Sequence, residues 1–265
     1  MNALDEVRAK VLAIESQSYD SDYYARQVDG SLRSAKVILG LLFEIYQPRS
    51  VLDIGCGRGA WLAAAAELGA TRLVGIDGPW VAPDTLMNHR IEFTSVNMER
   101  EINVPEKYDL SISVEVAEHL SSGRSRAFVE ALCAASDVVI FSAAIPQQGG
   151  VNHINEQWQS FWAALFGGAG YECYDLFRPR LWRDKRVESW YRQNLFLYVR
   201  RTHPLTRQLS PIPDGYLDIV HPEIYEGNLE NFRRPIERPS LRFCGRVLAR
   251  WFSNKLNNKT GAADA

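Results

Sequence analysis

The 265-residue chain has little net charge, few cysteines and no long apolar run. Each shortage removes a class of explanation. A formal charge of −2 provides no global field to recruit nucleic acid, so DNA is not expected as a partner and RNA would need a local basic patch. Cys56, Cys133, Cys173 and Cys244 are scattered, with no C-x-x-C pair. That argues against a zinc site and a disulfide framework and fits a reducing compartment. No stretch reaches the roughly 18 apolar residues that a spanning helix needs. Asp5 and Glu6 precede any apolar run, unlike a secretory leader, so the expected location is cytoplasmic. Internal repeats and low-complexity segments are also missing.

What is present is an alternation of short apolar strands and helical patterns. The spacing predicts strands over 51–54, 72–76, 91–96, 109–114 and 137–142, with helices over 59–68 and 121–135. Leu32, Ala35, Val37, Ile38, Leu41, Leu42 and Ile45 recur at helical spacing, which predicts a helix over 31–46 with Ser31 as N-cap and Pro48 closing it. A further helix is expected over 155–166, then strands over 171–177 and 194–200 flanking a basic, tryptophan-rich loop, 178–192. Such alternation implies a mainly parallel sheet with helices on both faces.

The densest signal is Ser50-Val-Leu-Asp-Ile-Gly-Cys-Gly-Arg-Gly-Ala-Trp61. A strand runs into Gly55, Cys56, Gly57 and Gly59, and a helix follows at once. Glycines at such a turn allow positive φ and close approach of a ligand, which then faces the helix N-terminus. A dinucleotide site spaces its glycines G-x-G-x-x-G and keeps the preceding strand apolar. Here Asp53 stands inside the strand, and a carboxylate there suits a cationic group such as an amino-acid ammonium. Asp77, followed by Gly78, ends the second strand, where an acid can accept both hydroxyls of a ribose. Asn97 and Met98, after the third strand, are placed to meet an adenine edge and face.

With Asp53, Gly55, Gly57 and Gly59 as D-x-G-x-G-x-G, Asp77 on the second strand, and Glu115-Val-Ala-Glu-His-Leu120 after the fourth, the sequence resembles the class I S-adenosylmethionine-dependent methyltransferases over about residues 31–200. The resemblance implies an α/β fold: a doubly wound, mostly parallel seven-stranded sheet, Rossmann-like, whose last strand is antiparallel. It implies S-adenosyl-L-methionine as cofactor, held by Asp53, Gly55, Cys56, Gly57, Gly59, Asp77, Gly78, Asn97, Met98 and Glu115.

For methyl transfer to a hydroxyl, a base must sit at the carboxyl ends of the central strands. His119 and His153 are the candidates, with Glu115 and Glu118 beside them. A helical turn after Val114 would put Glu115, Glu118 and His119 on one face. With His153 they would make an oxygen/nitrogen set suited to Mg²⁺ or Mn²⁺. That set is similar to the metal site of the small-RNA 3′-terminal 2′-O-methyltransferases, with His153-Ile-Asn-Glu156 comparable to their later histidine segment. No basic RNA surface accompanies it. The alternative is a single catalytic histidine with ordinary carboxylates around it.

Gln147, Gln148, Asn152, Asn155, Trp158 and Trp162, and later Trp182, Trp190, Tyr191 and Asn194, combine aromatic faces with amides, which suits a sugar ring. The segment from His153 to Val199 resembles methyltransferases of bacterial polysaccharide and sugar-modifying pathways. The expected acceptor is therefore a hydroxyl of a small molecule, a saccharide or glycosylated metabolite. RNA ribose or a ubiquinone-like phenol is the alternative, and a non-catalytic binding subunit the non-enzyme reading.

Three parts are expected: an N-terminal helix and lid over 1–30, with Tyr19, Tyr23, Tyr24 and Ser34 covering the cofactor; the catalytic domain over 31–203; and an arm over 204–265. Prolines predict that the arm is irregular until an amphipathic helix over 240–256. Arg242, Arg246 and Arg250 line one face of that helix, which could pack on its own domain, on another copy, or peripherally on a membrane.

Overall fold

A computed structural model describes residues 21–100, 102–104, 106–212, 216–237 and 244–245. The chain divides into two compact units at His221/Pro222. In the first, helix α1 (Ser21–Phe43) leads into β1 (Ser50–Ile54), α2 (Ala60–Glu67), β2 (Arg72–Asp77), β3 (Ile91–Ser95), β4 (Leu110–Val114), α3 (Ser125–Ala135) and β5 (Val138–Ser142). Then come α4 (Gln159–Gly168), β6 (Tyr171–Tyr174), two short helices, α5 (Arg178–Leu181) and α6 (Ser189–Asn194), and β7 (Phe196–Arg200).

The strands form one seven-stranded sheet in the order β3-β2-β1-β4-β5-β7-β6. The first five are parallel, and β7 runs antiparallel to both β5 and β6. Strand order reverses between β1 and β4, and the crevice beyond the carboxyl ends there is where such sheets bind ligands. Both chemistry-bearing segments leave the sheet at that point.

Near-continuous apolar strands follow from burial on both faces. Val51, Leu73, Leu110, Ile112 and Ile140 turn one way, onto Ala35, Ile38 and Leu42 of α1 and Leu62 and Ala65 of α2. Leu52, Ile54, Val74, Val139 and Phe141 turn the other way, onto Phe128 and Leu132 of α3 and Trp162 and Phe166 of α4. Full burial of each such side chain stabilises the fold by roughly 1.5–3 kcal/mol.

Several local expectations change. Ser31 does not cap a helix: α1 runs unbroken through Gly30, and the Ser31 hydroxyl instead meets the Tyr191 hydroxyl at 3.2 Å. A side chain at Gly30 would displace only the carboxylate end of Glu188, and the helix passes through the glycine without a turn. Ser34 is not part of a lid; it is fully buried, donating to the Gly30 carbonyl and accepting from the Glu188 amide. Helix α4 starts at Gln159 rather than 155, because the amides of Ile154 and Asn155 are drawn to the Glu118 carbonyl and that of Gln157 to Ala144.

The second unit contains α7 (Pro222–Glu237), where an irregular arm was expected. Pro222 stands at its first position, where a missing N–H costs nothing, and Pro235 falls in its last turn. Tyr19, the side chains of Tyr23 and Tyr24, and the expected helix over 240–256 apart from residues 244–245 lie outside the described residues. Among the described residues no helix is long and apolar enough to cross a membrane.

Candidate active site

The glycine corner is built by backbone conformation. Gly55, Gly57 and Gly59 take φ of 86°, 51° and 77°, in the left-handed region. A Cβ at Gly55 would lie 2.3 Å from Val116, whereas a Cβ at Gly57 would meet nothing within 4 Å. The space against Gly57 is therefore open to a ligand.

The Asp77 carboxylate closes this turn, accepting the Gly57 amide at 2.7 Å and the Gly78 amide at 2.6 Å. Each oxygen keeps further acceptor capacity towards a ribose. Asp53 is different: it is 1% exposed and neither of its oxygens has a hydrogen-bond partner. Burial, and then the neighbouring Asp77 charge, push its pKa well above the ordinary carboxylate range. A buried acid with no donor calls for a cationic partner, which is the chemistry of an amino-acid ammonium.

On the adenine side, both residues also have local roles. Met98 is buried in the core with Ile54, Ile76 and Val116, and the Asn97 side chain accepts the Glu99 amide in a local turn. The Cys56 thiol is buried, its pKa raised by burial and then by Asp53 and Asp77.

After β4 the chain does not form the expected helical face. Glu115 adopts φ 55°, and only Ala117–His119 turn, as a short 3₁₀ segment. Glu115 is thereby directed to a carboxamide group, accepting from Asn194 at 3.3 Å and Gln148 at 3.2 Å. Gln193 links that group onward, donating to Gln148 and Asn194 and accepting the His221 amide. Gln193 was not legible as part of the site, since it joins only through contacts distant in sequence.

Glu118, His119 and His153 do converge. One ligand-type atom from each lies within 4.8 Å of the others, and the two imidazoles meet edge-on with centroids 4.8 Å apart. Glu115 stands beside this trio rather than in it. Glu118 is fully buried and neither oxygen has a donor at hydrogen-bonding geometry. Burial, and then Glu115, raise its pKa well above the usual range. Burial lowers the pKa of His119, as does neighbouring His153, against a hydrogen bond to the Asn152 carbonyl. A lowered imidazole keeps a lone pair free at neutral pH, as a base or a metal ligand must.

Other residues expected around an acceptor have structural roles. Trp162 packs on Phe141 in the core, Trp182 lies against His221, and Asn155 bonds to Ser125. Trp158 keeps an exposed indole.

The methyltransferase-domain family matches residues 24–165, and the chain belongs to that family. No curated protein matches the chain in sequence. Among solved structures, it is similar to the magnesium protoporphyrin IX methyltransferase of Synechocystis PCC 6803, crystallised with SAH. The identity is 17%, the TM-score 0.51, and the match covers 67% of this chain and 87% of that one. An O-methyltransferase family protein from Burkholderia thailandensis matches at 14% identity and TM-score 0.51, covering 69% of this chain and 61% of that one. These likenesses show the fold. The chain is a methyltransferase with a Rossmann-like fold.

Proposed function

We propose that this enzyme methylates a hydroxyl of a small molecule, most simply a sugar hydroxyl of a saccharide or glycosylated metabolite. The observation that carries the reading is the Glu118–His119–His153 cluster at the carboxyl end of β4, one strand from the Asp53 corner. Bound S-adenosylmethionine supplies an electrophilic sulfonium methyl. Asp53 fits its ammonium, Asp77 and Gly78 its ribose side, and the open face of Gly57 its close approach. His153 or His119 takes the hydroxyl proton as the oxygen–carbon bond forms, and burial around Glu118 excludes water.

A second reading has one observation in its favour. A buried carboxylate beside two imidazole nitrogens matches the donor set of a divalent site for Mg²⁺ or Mn²⁺, with Glu118, His119 and His153 as its ligands. Its role would be to acidify the hydroxyl.

The test is methyl transfer from labelled S-adenosylmethionine to sugar nucleotides, oligosaccharides, ubiquinone-like phenols and short RNAs. His119→Ala and His153→Ala serve as controls, and the base should account for about 10²–10⁴-fold in turnover. Product only on RNA or phenol would replace the saccharide reading. Full turnover in both variants would remove the histidines from the chemistry.

A further inference from the structure

The loop between β5 and α4 contains a carboxylate that no step above uses. Glu156 accepts the Gln147 amide on Oε2 at 2.7 Å and the Gly149 amide on Oε1 at 2.8 Å. That same Oε1 lies 3.1 Å from Nδ1 of His153. Gln147 and Gly149 have φ of 69° and 74°, and Asn152 has 59°, so the loop is wound tightly around this one acid. Both partners of the imidazole contact are mostly buried, at 13% and 18% side-chain exposure, so solvent does little to loosen it.

The contact has a direction. A carboxylate taking backbone N–H bonds on both oxygens is an acceptor, so the hydrogen between it and His153 belongs to Nδ1. A neutral imidazole with its proton on Nδ1 carries its lone pair on Nε2. The ring itself packs against Gly150: a Cβ at residue 150 would lie 2.2 Å from His153 Nε2, so only glycine there lets the imidazole take this position.

We propose that Glu156 is a positioning residue for His153: it fixes the Nδ1–H tautomer and the ring orientation, so that Nε2 is the nitrogen offered to the acceptor site. Free imidazole side chains favour the opposite tautomer, so the carboxylate changes which nitrogen can work. The inference rests on the role of His153 proposed above, but its decisive readout does not require activity.

The experiment is long-range ¹⁵N–¹H correlation of the histidine rings in the full-length protein at mildly alkaline pH, with His153 assigned from the spectrum of His153→Ala. The expected result is a protonated Nδ1 and a bare Nε2 in the native protein. Glu156→Ala should move His153 towards the Nε2–H form and lower kcat roughly 10–100-fold, with the KM for S-adenosylmethionine unchanged. Glu156→Gln should restore most of both, because its carbonyl oxygen can take the place of Oε1 at the cost of the Gln147 bond alone. A native His153 protonated on Nε2, or on both nitrogens, would overturn the proposal. So would an Nδ1–H form that persists in folded Glu156→Ala, since Glu156 would then only pin the loop. Loss of the tautomer with turnover unaffected would instead count against the role of His153 and leave the positioning intact.

Discussion

Asp53, next to last in β1, and Asp77, the last residue of β2, border the same glycine turn, yet only Asp77 has hydrogen-bond donors. One acid builds the corner, and the other is left unsatisfied within it. An unpaired buried carboxylate is a cost to the ligand-free fold, recovered when a cation binds.

The cost should be measurable. Because the pKa of Asp53 is raised in the fold, ionising it at neutral pH opposes folding, and the penalty grows as pH rises above the ordinary value of 3.8. Asp53→Asn should therefore raise the melting temperature of the ligand-free protein at neutral pH, by about 2–4 °C per kcal/mol relieved. A melting temperature lowered in parallel with binding would mean that Asp53 serves the fold instead.

Gly55 and Gly57 should separate fold from function. Alanine at Gly55 collides with Val116 and should destabilise the protein by more than the roughly 1–2 kcal/mol of left-handed strain. The Cβ of valine at Gly57 meets no protein atom, so the variant should lose stability mainly through backbone strain while filling the space left for the cofactor. Thermal melts and cofactor titration of the two variants check this; equal stability losses would contradict it.

The corner could be read from the sequence because its elements are consecutive: a strand, a glycine turn, a helix, then an acid on the next strand. The sheet was legible for the same reason, since each apolar run fixes its own strand. The Glu115 expectation failed because a helical turn was assumed where φ is 55°, a backbone choice that residue types do not announce. Gln193 and the burial of Trp162 depend on tertiary neighbours, and periodicity does not name neighbours. Helix α7 was hidden by Pro222, which is tolerated at its first position, and by Pro235, which stands in its last turn at the cost of a backbone bond.

His119 should leave a mark on stability. Its folded pKa is lowered from 6.5, by burial first, so the unfolded chain binds more protons just below that value. Stability should then rise with pH through the window just below 6.5 and level off above it. Urea midpoints between about pH 5.5 and 7.5 should show this slope, flatter in His119→Asn. An identical slope in the variant would assign it to another group.

Metal removal distinguishes the two ways of activating the hydroxyl. Direct proton transfer to a histidine predicts full turnover after stripping and in excess chelator. Loss of turnover, restored by Mg²⁺ or Mn²⁺ and weakened in Glu118→Gln, would establish the divalent site.

The most direct test of the account is isothermal titration of S-adenosylmethionine into the native protein, Asp53→Asn, His119→Ala and His153→Ala. The account divides the site into a cofactor corner on β1 and β2 and a reaction centre after β4 and β5. It predicts binding to the native protein, near-native affinity in both histidine variants, and loss of binding in Asp53→Asn. Binding that survives without Asp53, or is lost with either histidine, would contradict that division.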